Sequence, residues 1–423
     1  MRIACLGGGP AGLYLAISMK LRDARHEVDL FERNRADDTF GWGVVFSDQT
    51  VENLMANDPV SGAVIRDEFA HWDDIDVHIH GECSRSSGHG FIGIGRKRLL
   101  NILQDRARAL GVRLHFEQEA SPDLDDWKDY DLVIAADGAN SRIRTRYEEH
   151  FGVDIDVRRN KFFWFGTRKT FDAFTFAFEK TEAGWVWAHA YRFDDNLSTF
   201  IVEMDPETWH GLGLDRMDQP EAIGLCERIF AGYLDGHPLM SNAGHLAGPQ
   251  AWLNFRRIIC DTWSYRNLIL LGDAAHTAHF SIGSGTKLAL EDAIKLAEVL
   301  NRPGLPRDAA LEEYQAERNL EVLKLQNSAR NSTEWFETLD RYLHFEPIQF
   351  AYSLLTRSQR VSHENLRLRD KDWLEGVERW FQSRARGRPA NDPAPPMFAP
   401  YRLREMDLEN RIVVSPMAMY SGT

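Results

Sequence analysis

Three short segments carry residues whose types and spacing suit one kind of chemistry. In the first, Gly7, Gly9 and Gly12 frame a turn that enters Pro10 and Ala11, and Glu32 stands twenty residues beyond Gly12 with Arg33 beside it. Gly7 permits a tight turn, Gly9 removes a side chain where a pyrophosphate must approach the backbone, and Gly12 lets the following helix pack closely. The helix end offers free N–H groups and partial positive charge to phosphates, while the Glu32 carboxylate can accept hydrogen bonds from a ribose diol. The second segment is Asp137-Gly138, and the third is Gly272-Asp273 followed by Gly283, Gly285 and Thr286. Asp273 is placed to accept hydrogen bonds from a sugar-like polyol, and the later glycines let backbone N–H groups approach a negatively charged ring edge.

Such residues need rigid elements beneath them. Ile3 to Leu6 reads as a buried strand and Ala11 to Leu21 as a helix entered through Pro10. Val28 to Phe31, Leu132 to Ala136 and Leu268 to Leu271 read as further buried strands, each running into one of the three acids. The first segment in this context predicts a bound nucleotide without choosing between FAD and NAD. Taken alone, Asp137-Gly138 reads better as a plain strand-to-turn junction.

The 423 residues are 43% hydrophobic and 27% charged, an ordinary globular balance with room for two or three cores. A net charge of -14 argues against nucleic acid as a partner. No run of eighteen apolar residues occurs, so no membrane span is expected, and a fingerprint starting at Gly7 leaves no room for a signal peptide before it. Cys5, Cys83, Cys226 and Cys260 show neither metal nor redox spacing, which fits a reducing, cytoplasmic location and no metal.

The stretch LILLGDAAHTAHFSIGSGTK, taken with the other two motifs, resembles the ribityl-binding motif of flavoprotein aromatic monooxygenases of the para-hydroxybenzoate hydroxylase type. The resemblance implies an α/β fold, with a Rossmann-like FAD-binding domain, an interleaved β-sheet substrate domain and C-terminal helices. Residues 1–385 then form the monooxygenase unit: FAD-binding parts near 1–75, 90–155 and 260–330, a substrate sheet near 76–89 and 156–259, and a helical end at 331–385. It implies FAD held by Gly7, Gly9, Pro10, Ala11, Gly12, Glu32, Arg33, Asp137, Gly138, Gly272, Asp273, Gly283, Gly285 and Thr286. Arg96 resembles the arginine of an arginine-x-x-leucine helix start near the pyrophosphate or ribityl chain, although such an arginine can equally be solvated. Trp42, Gly43 and Val44 fall where the family approaches the isoalloxazine ring, and a structural turn explains them as well. Phe280 and Lys287 replace the family's usual proline and asparagine, so the loop beside the ring is expected to differ in shape.

With no second complete glycine fingerprint, the resemblance implies that NADH or NADPH binds transiently, and that a flavin hydroperoxide formed with molecular oxygen hydroxylates an aromatic ring. RRNKFFWFGT, AHAYRFDDNLSTFIVEM and HFSIGSGT resemble a narrower group: the monooxygenase half of 2-aminobenzoyl-CoA monooxygenase/reductase, salicylyl-CoA 5-hydroxylase, and a tryptophan-derivative hydroxylase of violacein biosynthesis. The expected substrate is therefore an aromatic CoA thioester, with a tryptophan derivative or free aromatic acid as the alternative. Arg142, Arg144, Arg146, Arg158, Arg159, Lys161, Arg168 and Lys169 could meet CoA phosphates or form a solvated face. A homodimer stays open.

Phe174, Phe176 and Phe178 alternate, as do Trp185 and Trp187, which predicts sheet core with some rings left for a substrate pocket. His189 and His279 are candidates for proton transfer, with Trp42 a third catalytic candidate near the ring; His276 reads as structural. His78 and His80 share a strand face if extended, with no third ligand at metal spacing. Beyond them, 386–400 reads as a proline-rich extended linker, and 401–423 resembles the truncated opening of an FMN barrel, which needs about 250 residues. A flavin-binding module without turnover is the alternative from another class, should that barrel be required.

Overall fold

The computed structural model describes residues 1–242 and 251–415. Residues 243–250 of the expected substrate sheet and 416–423 of the expected barrel opening lie outside the described residues.

The first sheet has six strands in the order Ser264–Tyr265, Leu268–Leu270, Leu132–Ala135, Arg2–Leu6, Glu27–Phe31 and Arg113–His115. All neighbours pair in parallel except the first two. Its central strands are buried along their length, as parallel strands covered on both faces must be. Helices Pro10–Arg22, Arg96–Ala109 and Gly285–Leu300 supply cover, and the small residues Ala11, Gly12 and Ala289 let them approach closely. The expected strands and first helix are present, each with ends within one residue of those read from sequence.

The second sheet has eight strands, built around Val153–Thr167, Ser198–Met204, Trp185–Arg192 and Phe174–Lys180. Directly opposed residues in an antiparallel ladder share a face, so the register sorts this sheet. Phe163, Phe165, Phe200, Val202 and Met204 lie on one face with Trp209 and Phe230 of the helices that follow. The other face carries Phe162, Trp164, Gly166, Thr199, Ile201, Glu203, Trp187, His189, Tyr191 and Phe176. That face meets the flavin-motif segments and the C-terminal helices. A small sheet of Gly43–Phe46, Phe91–Gly95 and Ala70–Trp72 stands beside it.

Two expectations change. His80 sits in a turn with φ 55°, so it does not share a strand with His78. The proline-rich stretch folds back on helix Lys371–Arg386 instead of extending away: Ser383 Oγ accepts from Ala390 N–H at 2.9 Å, and Ala399 is fully buried. Beyond it, Tyr401–Leu403 and Met406–Leu408 form an isolated hairpin. No helix among the described residues is long and apolar enough to cross a membrane.

Candidate functional site

The first sheet explains why three distant segments meet. Leu6, Ala135 and Leu270 stand in register on neighbouring parallel strands, so all three motifs leave the same edge. Backbone bonds continue the register past the strands: Ala136 N–H donates to Leu6 O at 2.8 Å and Leu271 N–H to Ala135 O at 2.9 Å. Arg144, only 2% exposed, then ties the second motif to the third, donating to Ala139 O at 2.7 Å and Ala274 O at 3.0 Å. Below the third motif, the buried Asp292 carboxylate accepts from Arg318 Nε at 2.8 Å and faces His276 Nε2 at 2.7 Å. His276 is thus a brace for the turn.

At the first motif, Gly7 takes φ +118°, and a Cβ on Gly12 would strike Gly7 O. Gly9 differs, because a Cβ there would meet nothing within 4 Å. The space it leaves joins a cleft of about 810 Å³ lined by Glu32, Arg33, Ser121, Asp137, Gly138 and Arg142. Glu32 accepts from Gly8 N–H at 2.8 Å and from Asn34 N–H at 2.9 Å, which fixes its carboxylate at the cleft wall.

Two groups on the way to the ring end carry unmet hydrogen-bonding capacity. Arg96 Nε is buried without a partner, and its guanidinium makes no ion pair among the described residues. Burial lowers its pKa, opposed by the charge of Asp273. Asp273 is open to solvent on one side while protein crowds it elsewhere; that desolvation raises its pKa, opposed by Arg96 and His276. Asp137 accepts from Arg142 N–H at 2.9 Å through one oxygen and leaves the other buried without a partner. A free buried cation, an orphaned carboxylate oxygen and an open glycine cradle fit the pyrophosphate and polyol of FAD.

At the ring end, Gly43 N–H donates to Thr199 Oγ1 and Gly43 O accepts from Tyr191 O–H, both at 2.9 Å. These bonds fasten Trp42, Gly43 and Val44 to the second sheet, with the Trp42 ring lying over Gly166. Gly283, at φ +62°, faces Val45, and the open space at Gly285 leads to the first turn of the helix containing Thr286. The two departures from the family pattern have visible effects. Phe280 packs on Phe162 with ring centroids 4.7 Å apart, and Lys287 pairs with Glu291 at 3.3 Å.

His189 and His279 flank Phe280, His189 at 5.7 Å and His279 at 4.2 Å between ring centroids. His189 Nε2 lies 3.0 Å from Glu203, whose carboxylate also accepts from Asn160 at 2.9 Å and Trp187 at 3.1 Å. Burial opposes charge on both partners, but the His189 and Asn160 hydrogen bonds hold Glu203 below its ordinary pKa, and burial holds His189 below its own. The pair is a carboxylate accepting from a neutral imidazole, with no partner for His189 Nδ1 among the described residues. Burial takes His279 down to about 4.

The sequence reading missed Glu203 and Arg357. A lone acid in the apolar strand Ser198–Met204 was a usable signal for Glu203. Arg357 gave none: it donates to Ser281 O at 2.8 Å and lies over the rings of Phe176 and Phe336. The basic stretch does not form one patch. Arg144 is internal, Arg142 pairs with Glu119, Arg158 with Glu337 and Asp156, Arg159 with Glu207, and Lys169 with Asp235.

The family model for an FAD binding domain matches residues 237–328. Salicyloyl-CoA 5-hydroxylase of a Streptomyces species is 43% identical over 433 residues, covering 100% of this chain and 81% of that protein. Protodeoxyviolaceinate monooxygenase of Chromobacterium violaceum is 33% identical, covering 85% of this chain and 95% of that protein. The 3-hydroxy-4-methyl-anthranilyl-[aryl-carrier protein] 5-monooxygenase of Streptosporangium sibiricum is 35% identical, covering 80% and 90%.

Proposed function

The chain belongs to the FAD-dependent aromatic monooxygenases, and from that premise we propose that its substrate is an aromatic acyl thioester, 2-hydroxybenzoyl-CoA or 2-aminobenzoyl-CoA, with NADH or NADPH as reductant. The observation that carries the reading is the end-to-end similarity to salicyloyl-CoA 5-hydroxylase. A free aromatic substrate is the second reading, favoured by the similarity to protodeoxyviolaceinate monooxygenase.

Bound FAD supplies the redox chemistry that lets molecular oxygen react with an electron-rich ring. The chain's own residues do the rest. Gly9, Glu32, Arg96, Asp137 and Asp273 hold the phosphates and polyol, and the segments at 42–45 and 283–286 approach the ring. Phe176, Phe280 and Phe336 surround His189 and keep water away from it. Glu203 accepts a hydrogen bond from His189 Nε2–H, which leaves the Nδ1 lone pair to take a proton from a ring hydroxyl, or to accept a hydrogen bond from a ring amine whose own lone pair already enriches the ring. Loss of the hydroxyl proton enriches the ring in electrons and so favours attack on oxygen.

The test is turnover of the FAD-loaded protein with NADH or NADPH and oxygen-18 gas, offering both thioesters and the free acids. A labelled, hydroxylated thioester is expected. Label in a free acid and in neither thioester would replace the first reading by the second.

A further inference from the structure

A second, shallow and solvent-open cleft lies between strand Leu253–Cys260 and the long helix Arg307–Glu337. Phe255, Ala329 and Thr333 supply much of its wall, and two almost fully buried polar side chains reach it: His279, 4% exposed, and Gln326, 7% exposed. Gln326 Nε2 donates to Ile258 O and Thr277 O, each at 2.9 Å. Both partners are carbonyls, which fixes the amide's orientation and leaves Oε1 as a buried acceptor with no partner.

His279 is fixed in the opposite sense. Ser281 N–H donates to its Nδ1 at 3.2 Å, so a neutral ring carries its proton on Nε2. A row of side chains adjoins it. Arg357 Nε donates to Ser332 Oγ at 2.9 Å, Ser332 Oγ lies 2.8 Å from Ser281 Oγ, and Ser281 Oγ lies 2.9 Å from His279 Nδ1. Ser332 Oγ accepts from Arg357 and can either donate to or accept from Ser281 Oγ, so the Ser281 backbone N–H alone sets the tautomer of His279. The Nε2–H has no partner among the described residues.

The cleft therefore offers one donor and one acceptor between apolar walls. At its rim Arg158, Arg257 and Arg330 pair with Asp154, Asp156, Glu334 and Glu337, which leaves no surplus positive charge to attract an anion. We propose that it binds an uncharged secondary amide in the thiol arm of an acyl thioester, the amide carbonyl accepting from His279 Nε2–H and its N–H donating to Gln326 Oε1. The proposal rests on the thioester reading above. CoA and carrier-protein thioesters share such an arm, and His279 adjoins Phe280 at the ring loop, so an amide held here leads the acyl group toward the ring site.

The test measures binding to the FAD-loaded protein, from the flavin absorbance change, of three probes: 2-hydroxybenzoyl-CoA, 2-hydroxybenzoyl-pantetheine and the S-methyl thioester, which has no amide. Gln326→Leu removes the acceptor, and Ala329→Leu fills the cleft without removing a hydrogen bond. Flavin content and circular dichroism show whether each variant is folded. Both variants are expected to weaken the two amide-bearing probes about tenfold and the methyl thioester less than twofold. Equal wild-type affinity for the CoA and pantetheine probes marks the arm alone as the ligand, as a carrier protein would present it; tighter CoA binding adds nucleotide contacts to the amide site. Variants that bind 2-hydroxybenzoyl-CoA as tightly as wild type overturn the cleft assignment alone, as does equal loss of all three probes. Wild type that hydroxylates free 2-hydroxybenzoate but binds no thioester overturns both the assignment and the reading beneath it.

Discussion

Gly9→Val should separate cofactor binding from folding. Gly9 has φ −74° and ψ 179°, ordinary extended backbone, and a Cβ there meets nothing within 4 Å. Stability of the flavin-free protein should therefore stay within about 0.5 kcal/mol of wild type. The added side chain fills the space where a pyrophosphate must meet the N–H groups at the start of helix Pro10–Arg22. Hydrogen bonds to a charged group contribute roughly 1.5–3 kcal/mol each, so losing two lowers FAD affinity by at least about a hundredfold. Gly12→Ala should do the reverse. Its Cβ would lie 2.2 Å from Gly7 O and 3.4 Å from the Ala136 Cβ, forcing helix and strand apart. Overpacking of that kind costs about 1–3 kcal/mol. Urea unfolding of the flavin-free proteins, paired with fluorescence titration by FAD, reads both quantities. A Gly9→Val protein that retains stoichiometric FAD would refute the cradle, and one with a midpoint as low as that of Gly12→Ala would refute the claim that the space is open.

Arg144→Met preserves bulk but deletes two bonds from a buried guanidinium, so it should lower stability by about 3 kcal/mol, against less than about 1 kcal/mol for the exposed Arg142→Met; equal melting of the two would show that Arg144 ties nothing together. Asp273→Ala should weaken FAD retention at least tenfold, read as flavin lost on gel filtration, and undiminished flavin content would contradict the assigned role. His279 stays neutral in the fold down to about 4, whereas the unfolded chain takes up its proton near the ordinary histidine value of 6.5. Stability should fall as pH drops from that value to about 4, by roughly 3 kcal/mol from this group, with no contribution above it. Asn in its place can still accept the Ser281 N–H, so His279→Asn should flatten the fall in unfolding free energy between pH 7 and 4.5; an unchanged slope would exclude His279 as its source.

The cofactor side of the site was readable because its requirements are local. A tight turn, a missing side chain and a helix start must follow one another in the chain, so Gly7, Gly9 and Gly12 show themselves within six positions. Adjacency of the three motifs followed from parallel strand order, which resemblance implied and the register displays. The substrate side obeys non-local rules. Whether Phe176 or Trp164 is core depends on which sheet face meets the other elements, and alternation gives a face without naming its partner. The basic stretch misled for the same reason. Arg142, Arg144 and Arg146 occupy one short helix, yet the first is at the surface, the second is buried against two carbonyls, and only the fold separates them.

The two buried histidines carry this furthest. In sequence they are the same residue type ninety positions apart, and both read as proton-transfer candidates. Their neighbours give them opposite polarity. Glu203, an anion that also accepts from Asn160 and Trp187, accepts a hydrogen bond from His189 Nε2–H and leaves a lone pair on Nδ1. The Ser281 backbone N–H fills Nδ1 of His279 and leaves a proton on Nε2. Each imidazole is neutral, and each is set by a neighbour that never meets the ligand itself. One side of Phe280 thus accepts a proton and the other donates a hydrogen bond, an asymmetry suited to a substrate with an acidic ring substituent at one end and a carbonyl-bearing arm at the other.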